Sequence, residues 1–130
     1  MSEDVSLSTL VTMLAPPDPA GPPLSERPLI AAEPAAEMAE LFKVLASDSR
    51  LRLLHAIARG GEVRAGELAA AVGMTQQAAS NQLQRLADRR ICATRRSGTA
   101  VLYRIVDPCV LSLLNYGFCL VEPSCQVEAG

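Results

Sequence analysis

The stretch that decides the fold reads Glu67-Leu68-Ala69-Ala70-Ala71-Val72-Gly73-Met74-Thr75-Gln76-Gln77-Ala78-Ala79-Ser80-Asn81-Gln82-Leu83-Gln84-Arg85-Leu86. Leu68, Ala69 and Val72 give one side of a short helix over about residues 65–72. Gly73 stands where a left-handed helix stop is wanted. Thr75 can cap a second helix by offering its hydroxyl to a free backbone N–H, and that helix runs to about Arg89. Ala79, Leu83 and Leu86 recur at i, i+4 and i+7 and define its inward face. Two short helices joined by a tight glycine-containing turn have the spacing of a helix-turn-helix.

The outward face of the second helix is unusual in composition. Gln77, Ser80, Asn81, Gln84 and Arg85 lie there, with Thr75 and Gln76 at its start. A plain solvated face carries more Glu and Lys. Gln and Asn can pair two-pronged with adenine and Arg with guanine in the major groove. The helix N-terminus adds free N–H groups for a phosphate. Thr75, Gln76, Gln77, Ser80, Asn81, Gln84 and Arg85 are therefore the candidate DNA-reading residues.

Working outward, Ile91–Arg96 and Ala100–Ile105 read as two strands, the second alternating Val101, Tyr103 and Ile105 on one face. Ser97-Gly98 is the hairpin signal between them. Arg95, Arg96 and Ser97 then sit at a hairpin tip, positioned for backbone phosphates or the minor groove. Toward the N-terminus, Met38, Leu41, Phe42 and Leu45 mark an amphipathic helix that begins near Pro34. Ser47 caps a further helix in which Leu51, Leu54 and Ala58 form one stripe and Leu53 and Ile57 another, so that helix is expected to be largely buried. His55 on it is read as structural. Gly60-Gly61 ends it. After the hairpin, Asp107 or Pro108 starts a last helix to about Val121 that is apolar around most of its circumference. One small domain does not bury such a helix, and the excess points to a dimer seam. The expected class is mainly α: a winged helix-turn-helix of order ααααββα, with the N- and C-terminal helices forming a dimer interface.

Charge fits this division. The 130 residues carry 12 Lys+Arg and 14 Asp+Glu, net −2, which at face value argues against a polyanion partner. By segment, residues 1–40 hold seven acids against one base, and residues 75–106 hold six bases against one acid. Such asymmetry is a hint of nucleic-acid contact. Seven of the nine prolines fall within residues 16–34. Residues 1–33 read as an acidic, Pro-rich flexible tail with a short apolar patch, Leu7–Leu14. Residues 34–121 read as the DNA-binding and dimerisation domain, and 122–130 as a C-terminal tail. No apolar run approaches the ~18 residues a bilayer span needs, and the acidic N-terminus lacks a signal-peptide pattern, so a cytoplasmic location is expected. Four Cys in such a chain favour thiols or metal ligands over a disulfide framework.

These motifs together carry a family likeness. The run Leu41-Phe42-Lys43-Val44-Leu45-Ala46-Ser47-Asp48-Ser49-Arg50-Leu51-Arg52-Leu53-Leu54, the helix-turn-helix above, and Arg95-Arg96-Ser97-Gly98-Thr99 with Leu102-Tyr103-Arg104-Ile105 resemble the ArsR/SmtB bacterial repressors over about residues 35–121. Ser47-Asp48 stands where the family shows Asp-Pro, and Ser keeps the cap. The resemblance implies a homodimeric repressor that leaves its double-stranded DNA operator when an inducer binds, and two reading heads in a two-fold dimer would need an inverted-repeat site. The inducer is usually a metal or metalloid and sometimes a thiol oxidant.

The thiols are Cys92, Cys109, Cys119 and Cys125. With His55 as the only His, a His-rich zinc or nickel site is excluded. Soft thiolates favour arsenite, antimonite, cadmium, lead or cuprous ion. The family's Cys-x-Cys pair of the third helix is absent from Val63–Leu68. Its site on the last helix begins Asp-x-His, and here Asp107-Pro108-Cys109 places Cys in the His position. Cys109, Cys119 and Cys125 are therefore the candidate ligands for a thiophilic ion such as As(III), Cd(II) or Pb(II). Cys109 and Cys119 stand ten residues apart, about 15 Å along a helix, so one chain cannot bring both to one ion; Cys109 could meet Cys119 or Cys125 of a second chain across an antiparallel dimer, or Cys119 and Cys125 could meet within one chain if Pro123 turns it back. Cys92 is read as core. A redox or reactive-sulfur sensor using the same Cys stays open, as does a winged-helix protein–protein module without a sensor. An enzyme is not expected: there are no paired carboxylates with a cleft, no Ser-His-Asp set and no glycine-rich phosphate loop.

Overall fold

The computed structural model describes residues 22–122. A 3-10 turn at Leu24–Glu26 precedes α1 (Ala32–Leu45), α2 (Asp48–Gly60), β1 (Glu62–Arg64), α3 (Ala65–Val72), α4 (Gln76–Asp88), β2 (Cys92–Ser97), β3 (Ala100–Ile105) and α5 (Pro108–Val121). Local capping chemistry sets the helix ends. The Ser47 hydroxyl accepts from the Arg50 N–H at 3.3 Å and the Thr75 hydroxyl from the Ala78 N–H at 3.1 Å. The Asp107 carboxylate accepts from the Cys109 N–H at 2.9 Å, with Pro108 in the first turn. α3 stops at Gly73, whose φ of 73° places it in the left-handed region that costs glycine nothing. The Met74 N–H then returns to the Ala69 carbonyl at 2.9 Å and closes the turn.

Three strands pair antiparallel in the order β1-β3-β2. The expected order lacked β1. Its three residues are too short to show alternation, and their pairing (Val63 opposite Tyr103) spans some forty residues of chain. The hairpin also differs by one position from the expected one. Ser97 pairs with Ala100, so the turn is Gly98-Thr99, with Gly98 at φ 65°.

The core is built from Leu53, Leu54 and Ile57 of α2, Leu68, Ala69 and Val72 of α3, and Ala79, Leu83 and Leu86 of α4. Ile91, Cys92, Tyr103 and Val110 close it, and among the described residues no polar or charged side chain is buried in it. α2 is less buried than its two stripes suggest: Leu54 is inside, but Leu51 and Ala58 are exposed. The reason is that α5 covers that side of α2 incompletely. α5 buries only Val110 and α1 only Leu45. Met38 and Phe42 of α1 are each 47% exposed, and Leu120 and Val121 of α5 are 75% and 76% exposed. Burying a fully exposed Leu or Phe is worth about 1.5–3 kcal/mol, and covering these part-exposed side chains a corresponding share of that. No helix among the described residues is long and apolar enough to cross a membrane.

Candidate functional site

α4 divides cleanly between core and solvent. Ala79, Leu83 and Leu86 are fully buried, while Gln76, Gln77, Asn81, Gln84 and Arg85 are exposed and Ser80 is half-buried. Burial on one side thus aims the polar set outward as one face. Gln77 donates from Nε2 to Asn81 Oδ1 at 3.1 Å, which leaves the Gln77 carbonyl and the Asn81 NH2 pointing to solvent, an acceptor and a donor one turn apart. Gln84 likewise donates to Asp88 at 2.8 Å. Thr75 is exposed, with its hydroxyl occupied as the helix cap. Gln76 and Ser80 border a cleft of about 460 Å³ between α4 and the wing, which Arg64, Glu67, Thr99 and Tyr103 also line.

The wing corrects one expectation. Arg96 and Ser97 flank the hairpin turn and are exposed, but Arg95 is not at the tip. The one-residue difference in register puts it opposite Leu102, within the strand. Its guanidinium donates to both carboxylate oxygens of Glu62, Nε to Oε2 and Nη2 to Oε1, each at 2.8 Å. The hydrogen-bonded Arg95 holds the Glu62 carboxyl below its ordinary range, and the charge of Arg104 adds to this. Glu62 escaped sequence reasoning because its strand did. Its one signal is an isolated acid among basic strand residues.

The thiols separate into two kinds. Cys92 is buried, with its sulfur 3.9 Å from the Leu83 carbonyl, and burial pushes its thiol up to about 11. It is a core residue, as expected. Cys109, in the first turn of α5, is exposed, and Cys119, in its last turn, is half-buried; both are free thiols. Cys125, Leu7–Leu14 and most of the acidic tail lie outside the described residues. Among the described residues no three His, Cys, Asp or Glu side chains converge within one chain to hold a metal ion. Among the described residues, the two accessible thiols sit on the helix whose apolar face is uncovered. His55 is exposed rather than on a buried face, and its ring meets Phe118 of α5 edge-on at 5.0 Å. It stands in an apolar groove of about 540 Å³ between α2 and α5, with Leu51, Leu54, Leu113 and Phe118 among its walls.

A helix-turn-helix packed on a three-stranded sheet with a protruding hairpin is the winged-helix class. A family model described as the MarR family matches residues 47–100, the segment from the α2 cap to the start of β3. The transcriptional repressor SmtB homolog of Synechocystis sp. is 43% identical over 79 residues, 61% of this chain and 59% of that protein, so the chain spans less than two thirds of that relative. The crystal structure of the AntR antimony-specific transcriptional repressor is 56% identical, covers 85% of this chain and all of that one, and superposes with a TM-score of 0.72. The solution structure of the homodimeric winged helix-turn-helix DNA-binding domain of Mb0332 from Mycobacterium bovis is 29% identical, with a TM-score of 0.64 over 77% of this chain and 92% of that one. The chain belongs to the ArsR/SmtB family of winged-helix transcriptional repressors. That family consists of DNA-binding regulators, not enzymes.

Proposed function

We propose that this chain works as a homodimer that holds an inverted-repeat operator and releases it when a thiophilic metalloid or metal ion binds thiolates of Cys109, Cys119 and Cys125. The observation that carries the reading is the placement of Cys109 and Cys119 on α5, whose apolar face the chain leaves open. A partner copy covering that face can bring Cys109 of one chain toward Cys119 or Cys125 of the other, which one chain alone cannot do across about 15 Å of helix. Soft thiolates with no second His select a soft acceptor. The likeness to a repressor described as antimony-specific supports a trivalent metalloid. The homodimeric state of the Mb0332 domain supports two reading heads related by a two-fold axis. In each head, Gln77, Asn81, Gln84 and Arg85 read base edges, with Thr75, Gln76 and Ser80 near the helix N-terminus. Arg96 and Ser97 meet the backbone, and Arg95 joins them only by leaving Glu62.

The deciding experiment is a gel shift on DNA upstream of the gene, with antimonite, arsenite, cadmium or a polysulfide added. Release by a thiophilic ion, with ultraviolet thiolate-to-metal absorption, is the expected result, and Cys119→Ser protein should no longer release. Release by polysulfide alone, with loss of free thiols, would replace the metal reading by a redox one; the accessibility of both α5 thiols favours that as the second reading. Replacing Gln77, Asn81 and Gln84 together by Ala should abolish sequence-selective binding. A shift insensitive to that change would sink direct readout.

A further inference from the structure

Arg50 lies in the first turn of α2 and is half-buried. Its Nε donates to the Val44 carbonyl in the last turn of α1, and its Nη1 donates to Oε1 of Gln82 in the middle of α4. The last carbonyls of α1 have no helical partner, so a cation there satisfies an orphan acceptor and complements the negative end of the helix dipole. The neighbouring Arg52 does a related job, donating to the Val72 carbonyl at the end of α3 at 3.0 Å, but its bond does not reach α4. Arg50 thus joins three elements, α2, α1 and α4. One of them, α1, carries exposed Met38 and Phe42 on the face left for a partner. Another, α4, carries the proposed base-reading face. Gln82 is half-buried at the flank of that helix and is not among the base-reading side chains.

We infer that Arg50 is a positioning residue: through Val44 and Gln82 it sets the pose of the reading helix relative to the dimer seam, and so fixes the spacing between the two reading heads. The inference rests on the proposed dimeric DNA-binding function. The chemistry favours Arg at this position. A planar guanidinium can donate in two directions at once from a fixed fork, whereas a Lys ammonium on a flexible stem makes a point contact. Both bonds are charge-assisted and stronger than neutral ones. A dimer with heads held rigidly accepts only one half-site spacing, because one base pair moves a half-site by about 3.4 Å and turns it by about 35°.

The test uses the full-length protein and the DNA that the wild type selects from a random pool, rebuilt with the half-site spacing lengthened or shortened by one base pair. The wild type should prefer its own spacing by about tenfold or more, the worth of one charge-assisted hydrogen bond. Arg50→Met and Gln82→Met should flatten that preference to about threefold or less while leaving the dimer intact. Gln82→Glu keeps an acceptor for Arg50 and should restore the sharp preference. Arg52→Met removes a helix-end contact without touching α4 and should keep it, although it also lowers the melting temperature. Gln82→Met keeps the test decisive where Arg50→Met does not fold. A flattened preference in Arg52→Met equal to that in Gln82→Met would overturn the inference, because general loosening would then explain both. So would a wild-type-like preference in both Arg50→Met and Gln82→Met. A wild type that selects no DNA would overturn the DNA-binding reading and this inference with it.

Discussion

Arg95 and Glu62 face each other over the central strand of the wing sheet, joined by two parallel hydrogen bonds of 2.8 Å. The carboxylate occupies the same fork of donors that a DNA phosphate would take. Replacing Glu62 by Gln should therefore free Arg95 and raise DNA affinity at low salt. It should also steepen the salt dependence by about one unit of slope, the mark of one added phosphate contact. Fluorescence anisotropy titrations at several salt concentrations would read both, and identical slopes would mean that Arg95 makes no phosphate contact. Acid acts in the same direction. The Glu62 carboxyl is held below its ordinary range, so the stability it gives is present above that range and is lost as pH falls through the depressed value. Arg95 is released over the same window.

Cys92 should resist thiol reagents in the native protein while Cys109 and Cys119 react. Thiolate is the reactive form, and burial holds Cys92 protonated. Alkylation followed by peptide mass spectrometry would show the order, and rapid labelling of Cys92 would overturn its placement in the core. The raised thiol also sets an alkaline limit. Stability from this group is intact below its ordinary value of 9.0 and is lost as pH rises toward about 11.

Arg90 is the one non-glycine among the described residues with positive φ, at 61°. It ends α4 in the left-handed region, where an L side chain costs roughly 1–2 kcal/mol. Arg90→Gly should then stabilise the protein by about 1 kcal/mol once the extra freedom of glycine in the unfolded chain is set against the relief. Arg90→Val should destabilise it. Thermal melts of the two variants would rank them, and an Arg90→Gly protein that melts lower would show that the Arg90 side chain stabilises more than its backbone costs.

Phe118 lies on α5 at the edge of exposure, 36% open, with its ring edge-on to His55. Phe118→Asp should leave the fold intact, yet weaken self-association by tenfold or more, because it places an unpaired charge on the apolar face in both copies. Sedimentation would give the mass, and an unchanged dimer would place the seam elsewhere.

What the sequence made legible follows from how local each determinant is. The bounds of α3 and the caps at Ser47, Thr75 and Asp107 depend on residues three or four apart, and each stands where its residue type suggests. The inward face of α4 was equally readable from spacing. Non-local pairing was not. β1 exists only because Val63 meets Tyr103, and Arg95 left the hairpin tip because the turn closed at Gly98-Thr99, one residue later than the Ser97-Gly98 signal suggested. The bond from Arg50 to Gln82 joins residues 32 apart, so no window of sequence displays it. Cys109 and Cys119 were legible as thiols of one helix, while the site proposed for them depends on surfaces that would meet between chains.

The passage from α4 to β2 is very short. Arg89, Arg90 and Ile91 are all that separate the helix from the strand. The Arg90 and Ile91 N–H groups bond back to Ala87 and Leu86, and the Ile91 carbonyl accepts from Val106 at the far end of the hairpin. This junction has no slack in length. One inserted residue would shift the alternation of the strand, send Ala93 inward in place of Cys92, and exchange the faces of Arg95 and Arg96. The Gly98-Thr99 tip, with open space around Gly98, carries no such penalty. In a lineage of such proteins, insertions and deletions should therefore collect at the tip and be purged at the junction. Wing reach would then diversify, while the angle between wing and α4 is inherited as a unit.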